Sequence, residues 1–231
     1  MVSLCEGLKT IEVRVLNLGG DDVWRNIENF PCAPSTLDLG GNHAYFSGTL
    51  NWLAIHKNHS MVDLDDITME HYIIVSLDLE TETYHEYKVP LGVAEVPPNE
   101  PVIAVLRDCL CFSYADKETG FVLWQMKKFG VEDSWTQLLK VSYYDILIDY
   151  DFSFQLMPLF LSEGGDTLIL KSTRESETIL YNRRDNRTKR TKIIASRTTA
   201  NNRTSISNDE DDDDVYLEEA KDYVESLVPI F

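Results

Sequence analysis

Cysteine is scarce in this chain, with Cys5, Cys32, Cys109 and Cys111 the full set among 231 residues. They form no Cys-x-x-Cys pair, and no histidine stands at a zinc-ligating spacing from them, which speaks against a disulfide scaffold or a zinc module. Cys109 and Cys111 lie two apart in an apolar run, so both face one side of it and read as buried free thiols. Long hydrophobic runs are also missing. None reaches ten residues, so neither a signal peptide nor a transmembrane helix is expected. No membrane partner is expected either, and the cytoplasm or nucleus, where thiols stay reduced, is the predicted location.

Positive charge is in the minority, 21 Lys and Arg against 39 Asp and Glu, for a net charge of −18. Half of that excess, −9, falls within residues 209–231, including six consecutive acids from Asp209 to Asp214. Such a chain offers no electrostatic footprint for nucleic acid. One basic cluster stands out, Arg183, Arg184, Arg187, Lys189, Arg190 and Lys192. It reads as a solvated hairpin or an intramolecular partner for the acidic run, in preference to a nucleic-acid patch.

Catalytic patterns are lacking as well. The five histidines form no His-Glu-x-x-His motif, and no Gly-x-Ser-x-Gly elbow is present. His56, His59, Asp63, Asp65 and Asp66 fall in a polar linker and read as solvated loop rather than metal ligands. Glycine turns precede strands, so no phosphate-cradling helix start is offered. The expectation is therefore no catalytic residues, no metal, no cofactor and no enzymatic activity.

What remains is almost entirely strand-like: short runs rich in β-branched and aromatic residues, separated by Gly, Asn and Asp turns. The predicted strands cover 11–18, 24–27, 44–47, 49–56, 72–79, 83–89, 102–106, 109–114, 121–127, 136–141, 156–161, 167–170, 178–182 and 189–194. A faint repeat runs through them. Leu50, Leu110 and Leu168, at spacings of 60 and 58, hold matching places after a tight polar turn. Each is followed by a second strand pair. Four strands per unit at such a period is the pattern of propeller blades. The predicted fold is all-β, with repeated four-stranded antiparallel units, β-propeller-like (partial, kelch-like), about three and a half units being present. An open sheet edge is expected near Ile11 unless another segment covers it. Trp24 and Trp135 are expected to pack between neighbouring units rather than to touch a ligand.

The organisation expected is a β domain over 1–195, a disordered acidic loop over 196–214, and a C-terminal segment over 215–231 that returns to the β domain. The middle segment is too poor in apolar residues to repay the entropy of ordering.

Four motifs carry a family resemblance. Residues 48–54 read Gly-Thr-Leu-Asn-Trp-Leu-Ala, and 74–84 read Ile-Val-Ser-Leu-Asp-Leu-Glu-Thr-Glu-Thr-Tyr. Residues 129–138 read Phe-Gly-Val-Glu-Asp-Ser-Trp-Thr-Gln-Leu, and 223–228 read Tyr-Val-Glu-Ser-Leu-Val. In this order they resemble the plant F-box-associated domain, the substrate-facing half of many F-box proteins. That resemblance implies a substrate-recognition region of an SCF-type ubiquitin ligase, with a protein substrate as partner. A Skp-type adaptor is implied only if an F-box lies upstream, because the residues before Ile11 are too few for that helical module. An alternative is a truncated, non-delivering remnant or regulatory decoy, and a further one an enzyme with a dispersed site. Propellers bind through loops at one end, so 58–70, 92–101 and 143–151 are the candidate contact loops. The last carries Tyr143, Tyr144, Tyr150 and Phe152 among acidic residues, a composition suited to a protein interface.

Overall fold

Four antiparallel sheets follow one another along the chain in a computed structural model that describes residues 2–6, 11–17, 23–34, 42–56, 67–90, 99–116, 120–146, 155–172 and 177–192. The first sheet holds β1 (Val2–Glu6), β2 (Ile11–Val15) and β3 (Arg25–Asn26), in that order. The second holds β4 (Ala33–Pro34), β5 (His43–Phe46), β6 (Thr49–Ile55), β7 (Tyr72–Asp78) and β8 (Tyr84–Lys88). Here β4 and β5 both pair with β6, followed by β7 and β8. The third is a four-stranded meander of β9 (Val102–Leu106), β10 (Cys109–Asp116), β11 (Gly120–Met126) and β12 (Trp135–Val141). The fourth repeats it with β13 (Leu156–Leu161), β14 (Thr167–Ser172), β15 (Glu177–Asn182) and β16 (Arg187–Lys192). Among the described residues the helical content is two short 3-10 turns, Met69–His71 and Glu132–Ser134. The fold is all-β and built of propeller-like units.

The repeat seen in the sequence is a repeat of structure. Leu50, Leu110 and Leu168 are each the second residue of the strand that follows a unit's first hairpin turn, and Leu110 and Leu168 are fully buried. The turns before the first two are two-residue hairpins with both residues at positive φ: Ser47 (52°) and Gly48 (77°), then Arg107 (47°) and Asp108 (54°). Turns of this kind match the right-handed twist of the strands they join.

Units stack through three apolar clusters. Trp52 and Ala54 of β6 meet Val13 and Phe30 of the first unit, while Leu53 and Ile55 of the same strand join Ile103, Leu110 and Phe112 of the third. On β11, Val122 and Met126 face the second unit, and Phe121 and Leu123 face Leu156, Leu168 and Leu170 of the fourth. Inner strands are thus covered on both faces, which is why they read as unbroken apolar runs instead of alternating ones. Outer strands are exposed and polar: Lys88 on β8, Lys140 on β12, and Arg187, Lys189 and Arg190 on β16. Charged outer edges resist pairing with another chain.

Two strands were not legible in the sequence, β1 and β4. β1 pairs antiparallel with β2 from Val2↔Val15 to Glu6↔Ile11, so the edge expected to be open near Ile11 is covered. Trp135 packs as expected: its ring lies 6.5 Å from that of Phe112, and its indole N–H donates to the Lys88 carbonyl at 3.0 Å across the second–third junction. Trp24 does not. It precedes the two-residue β3 at the edge of its sheet and stays 43% exposed. The segments assigned to 196–214 and 215–231 lie outside the described residues.

Candidate functional site

In a four-stranded meander, the hairpins joining strands one to two and three to four lie at one end, and all other connections lie at the opposite end. That topology places the connections β6–β7, β8–β9 and β12–β13 on the same end. These contain the three candidate contact loops, 58–70, 92–101 and 143–151. Most of their residues, with Tyr150 and Phe152, fall outside the described set, but the strand ends that carry them are defined.

Side chains just before an edge strand in two units tie this end together. Asn42, just before β5, donates from Nδ2 to the Pro101 carbonyl at 2.7 Å and accepts from the Ile103 N–H at 3.0 Å. Gln155, just before β13, donates from Nε2 to the Glu100 carbonyl. The second, third and fourth units are therefore joined around the entry to β9. Sequence reasoning overlooked both amides. Their shared position, one residue before an edge strand, was the available signal.

The Tyr143–Tyr144 pair is divided by the structure. Tyr143 is buried, in one cluster with Ile146 and Leu156, so its ring serves packing. Tyr144 is 86% exposed, the most exposed large hydrophobic among the described residues. The turn beneath it is closed by the Ile146 N–H on the Tyr143 carbonyl at 3.1 Å and anchored to the fourth unit by Thr188 Oγ1 on the Asp145 carbonyl at 2.7 Å. An exposed aromatic on an anchored turn loses little entropy on binding, a favourable property in a contact residue. Below lies a cavity of ≈ 10 Å³ bordered by Glu100, Ser113, Tyr143 and Gln155, room for a single water and no ligand.

Titratable groups follow burial. The Cys111 thiol is pushed up to about 12, chiefly by burial, which leaves it protonated and unreactive. Burial also raises the Tyr72, Tyr114 and Tyr181 phenols and takes Tyr84 to about 12, with Glu28 adding to the last. Among the described residues no three His, Cys, Asp or Glu side chains converge as metal ligands. His56 directly follows β6, and His71 Nδ1 accepts from the Thr68 N–H at 3.0 Å; His59, Asp63, Asp65 and Asp66 lie outside the described residues. No described helix is long and apolar enough to cross a membrane, which says nothing of β-barrel insertion.

Three of the four motifs take a structural role. Residues 48–54 form a hairpin turn and β6. The 74–84 segment supplies β7 and the start of β8. Within 129–138, Phe129 meets Phe46 edge-to-face at 5.2 Å, Glu132 accepts the Lys88 N–H at 2.8 Å, and Trp135 takes the Lys88 carbonyl. That motif is a clamp between units two and three.

These features define a class: an all-β protein of stacked, propeller-like antiparallel units with its variable connections gathered at one end. No family model matches the chain. It is similar to F-box protein CPR1 of Arabidopsis thaliana, 27% identical over 131 residues. The aligned stretch is 56% of this chain and 32% of that protein, so the chain corresponds to about a third of its relative's length.

Proposed function

We propose that the chain is a protein-binding module, the substrate-recognition part of an F-box type of ubiquitin-ligase subunit, acting in the cytoplasm or nucleus. The observation that carries this reading is the likeness to an F-box protein over 131 residues. The motif resemblance supports it, and so does an exposed Tyr144 on an anchored turn at the end where the variable connections gather. The module binds and does not itself catalyse; a Skp-type adaptor belongs to the assembly through an F-box.

The test is crosslinking capture from plant cells with the wild-type chain and Tyr144→Ala in parallel. Specific partners retained by the wild type and reduced at least tenfold by the variant, at unchanged melting temperature, support the contact surface. Equal capture by both removes Tyr144 from it. Reconstitution with purified adaptor separates a delivering subunit from a decoy: ubiquitin transfer to the captured partner requires the former.

A further inference from the structure

A cleft of ≈ 240 Å³ opens between the third and fourth units at the hairpin end, opposite the candidate contact loops. Its wall carries Arg107, Lys127 and Arg183, together with Cys109, Leu161 and Gly165, and no carboxylate among the described residues lines it. Each cation comes from a different turn. Arg107 lies in the β9–β10 hairpin, Lys127 directly follows β11, and Arg183 directly follows β15. This grouping is not legible in the sequence, where Arg183 stands among the basic residues of β16 instead.

The arrangement is held in place. Arg183 donates from Nη1 to the Gly165 carbonyl and from Nη2 to the Leu138 carbonyl, both at 2.8 Å. Nη1 of Arg107 and Nη1 of Arg183 lie 3.4 and 3.8 Å from the point a Cβ on Gly165 would occupy. Two guanidiniums thus converge over one glycine. Lys127 Nζ donates to the buried Gln125 Oε1 at 2.5 Å. The nearby Asp166 is engaged by Arg184, Nε to Oδ1 at 2.8 Å, and so does not neutralise the pair. Arg107 also sits at a left-handed φ of 47°, where the equivalent hairpin of the second unit uses Ser47 followed by glycine.

Three positive charges gathered with no carboxylate among the described lining residues, in a chain of net charge −18, repel one another until an anion enters. The Arg107 fork, with the remaining N–H groups of Arg183 and Lys127, suits a dianion with several acceptor oxygens better than a single carboxylate. The volume is below the roughly 300–1,000 Å³ of sites for whole small molecules and fits one side-chain head group. We propose that this cleft binds a phosphate monoester, presented as a phosphorylated side chain of a protein partner. The carrier rests on the protein-binding reading above, whereas the phosphate site does not.

Calorimetric titration of the full chain with inorganic phosphate and with a phosphoserine peptide, at constant ionic strength, tests both parts. Arg107→Gln/Lys127→Gln is the variant: both side chains are exposed, and an unchanged melting temperature confirms the fold. We expect one site per chain, with both ligands weakened at least tenfold in the variant. Equal affinity in the variant overturns the site. So does a glutamate-substituted peptide that binds as well as the phosphopeptide. Phosphate binding without any gain from the peptide keeps the anion site and overturns the protein carrier. A chain lacking residues 209–214 completes the set. Tighter phosphate binding there supports the cleft and marks the acidic run as an internal competitor, and no binding in either chain overturns the proposal.

Discussion

Trp52 is 6% exposed and meets Phe30 edge-to-face at 5.4 Å, inside the cluster that joins the first two units. Removing its ring takes away both the transfer energy and the packing of two units at once. Trp52→Ala should cost roughly 3–5 kcal/mol, read from chemical denaturation, and a loss below about 1 kcal/mol would place the ring outside the core. Cys111 yields a pH prediction. Burial holds its thiol up at about 12, against roughly 8.5 in an unfolded chain. A raised folded value means the unfolded chain releases its proton first, so this contribution is whole below pH 8.5 or so and is lost as pH rises toward about 12. In Cys111→Ala the alkaline loss of stability should begin later, near pH 10, where the buried tyrosines take over. Denaturation midpoints between pH 7 and 11 check this; parallel curves for both proteins would refute it.

At the scale of an element, two glycines make a contrast. Gly120 opens β11 at φ 102°, and a Cβ there would sit 2.3 Å from the Val141 carbonyl oxygen. Gly48 has φ 77° but nothing within 4 Å. Gly48→Ala should therefore cost only left-handed strain, about 1–2 kcal/mol. Gly120→Ala should cost clearly more, since the ladder to β12 has to shift as well. Similar losses from the two changes, measured side by side in urea, would contradict the close approach at Gly120. The junctions between units also differ in worth. The Arg25–Glu82 pair holds the first and second units, and the guanidinium hydrogen bond keeps the Glu82 carboxyl below its usual range. Exposed side chains make such a pair worth under about 1 kcal/mol. Trp135, by contrast, combines apolar packing with an indole hydrogen bond, so Trp135→Ala should destabilise far more than Glu82→Gln.

For the molecule as a whole, the buried clusters among the described residues join units one to two, two to three and three to four. Stability is then a sum over neighbours, as in a stacked array, and units with cover on both sides should open last. Amides of β6, β7, β10 and β11 should exchange most slowly with solvent, and those of the edge strands β1 and β16 in the two end units fastest. Hydrogen exchange with mass spectrometry measures the order directly. Uniform protection across all strands would mean that the ends are as well supported as the middle.

The sequence determined the strands and their repeat. Residues such as Tyr72–Asp78 and Gly120–Met126 are apolar without alternation because both faces are covered, and the hairpin residues at Ser47-Gly48 mark where chains reverse. It also determined that Trp52 is core, since an indole in an apolar strand has nowhere better to go. Beyond that, the tertiary structure decided. Val2–Glu6 carries only two aliphatic residues to mark it and becomes β1 because the edge of β2 accepts its backbone hydrogen bonds. Tyr143 and Tyr144 are identical in the sequence, yet one is buried and the other 86% exposed, because the turn anchored at Asp145 fixes which ring points inward. Arg107, Lys127 and Arg183 are separated by up to 76 residues, and charge carries no periodicity that could unite them. Only the stacking of the third unit on the fourth brings their turns to one cleft.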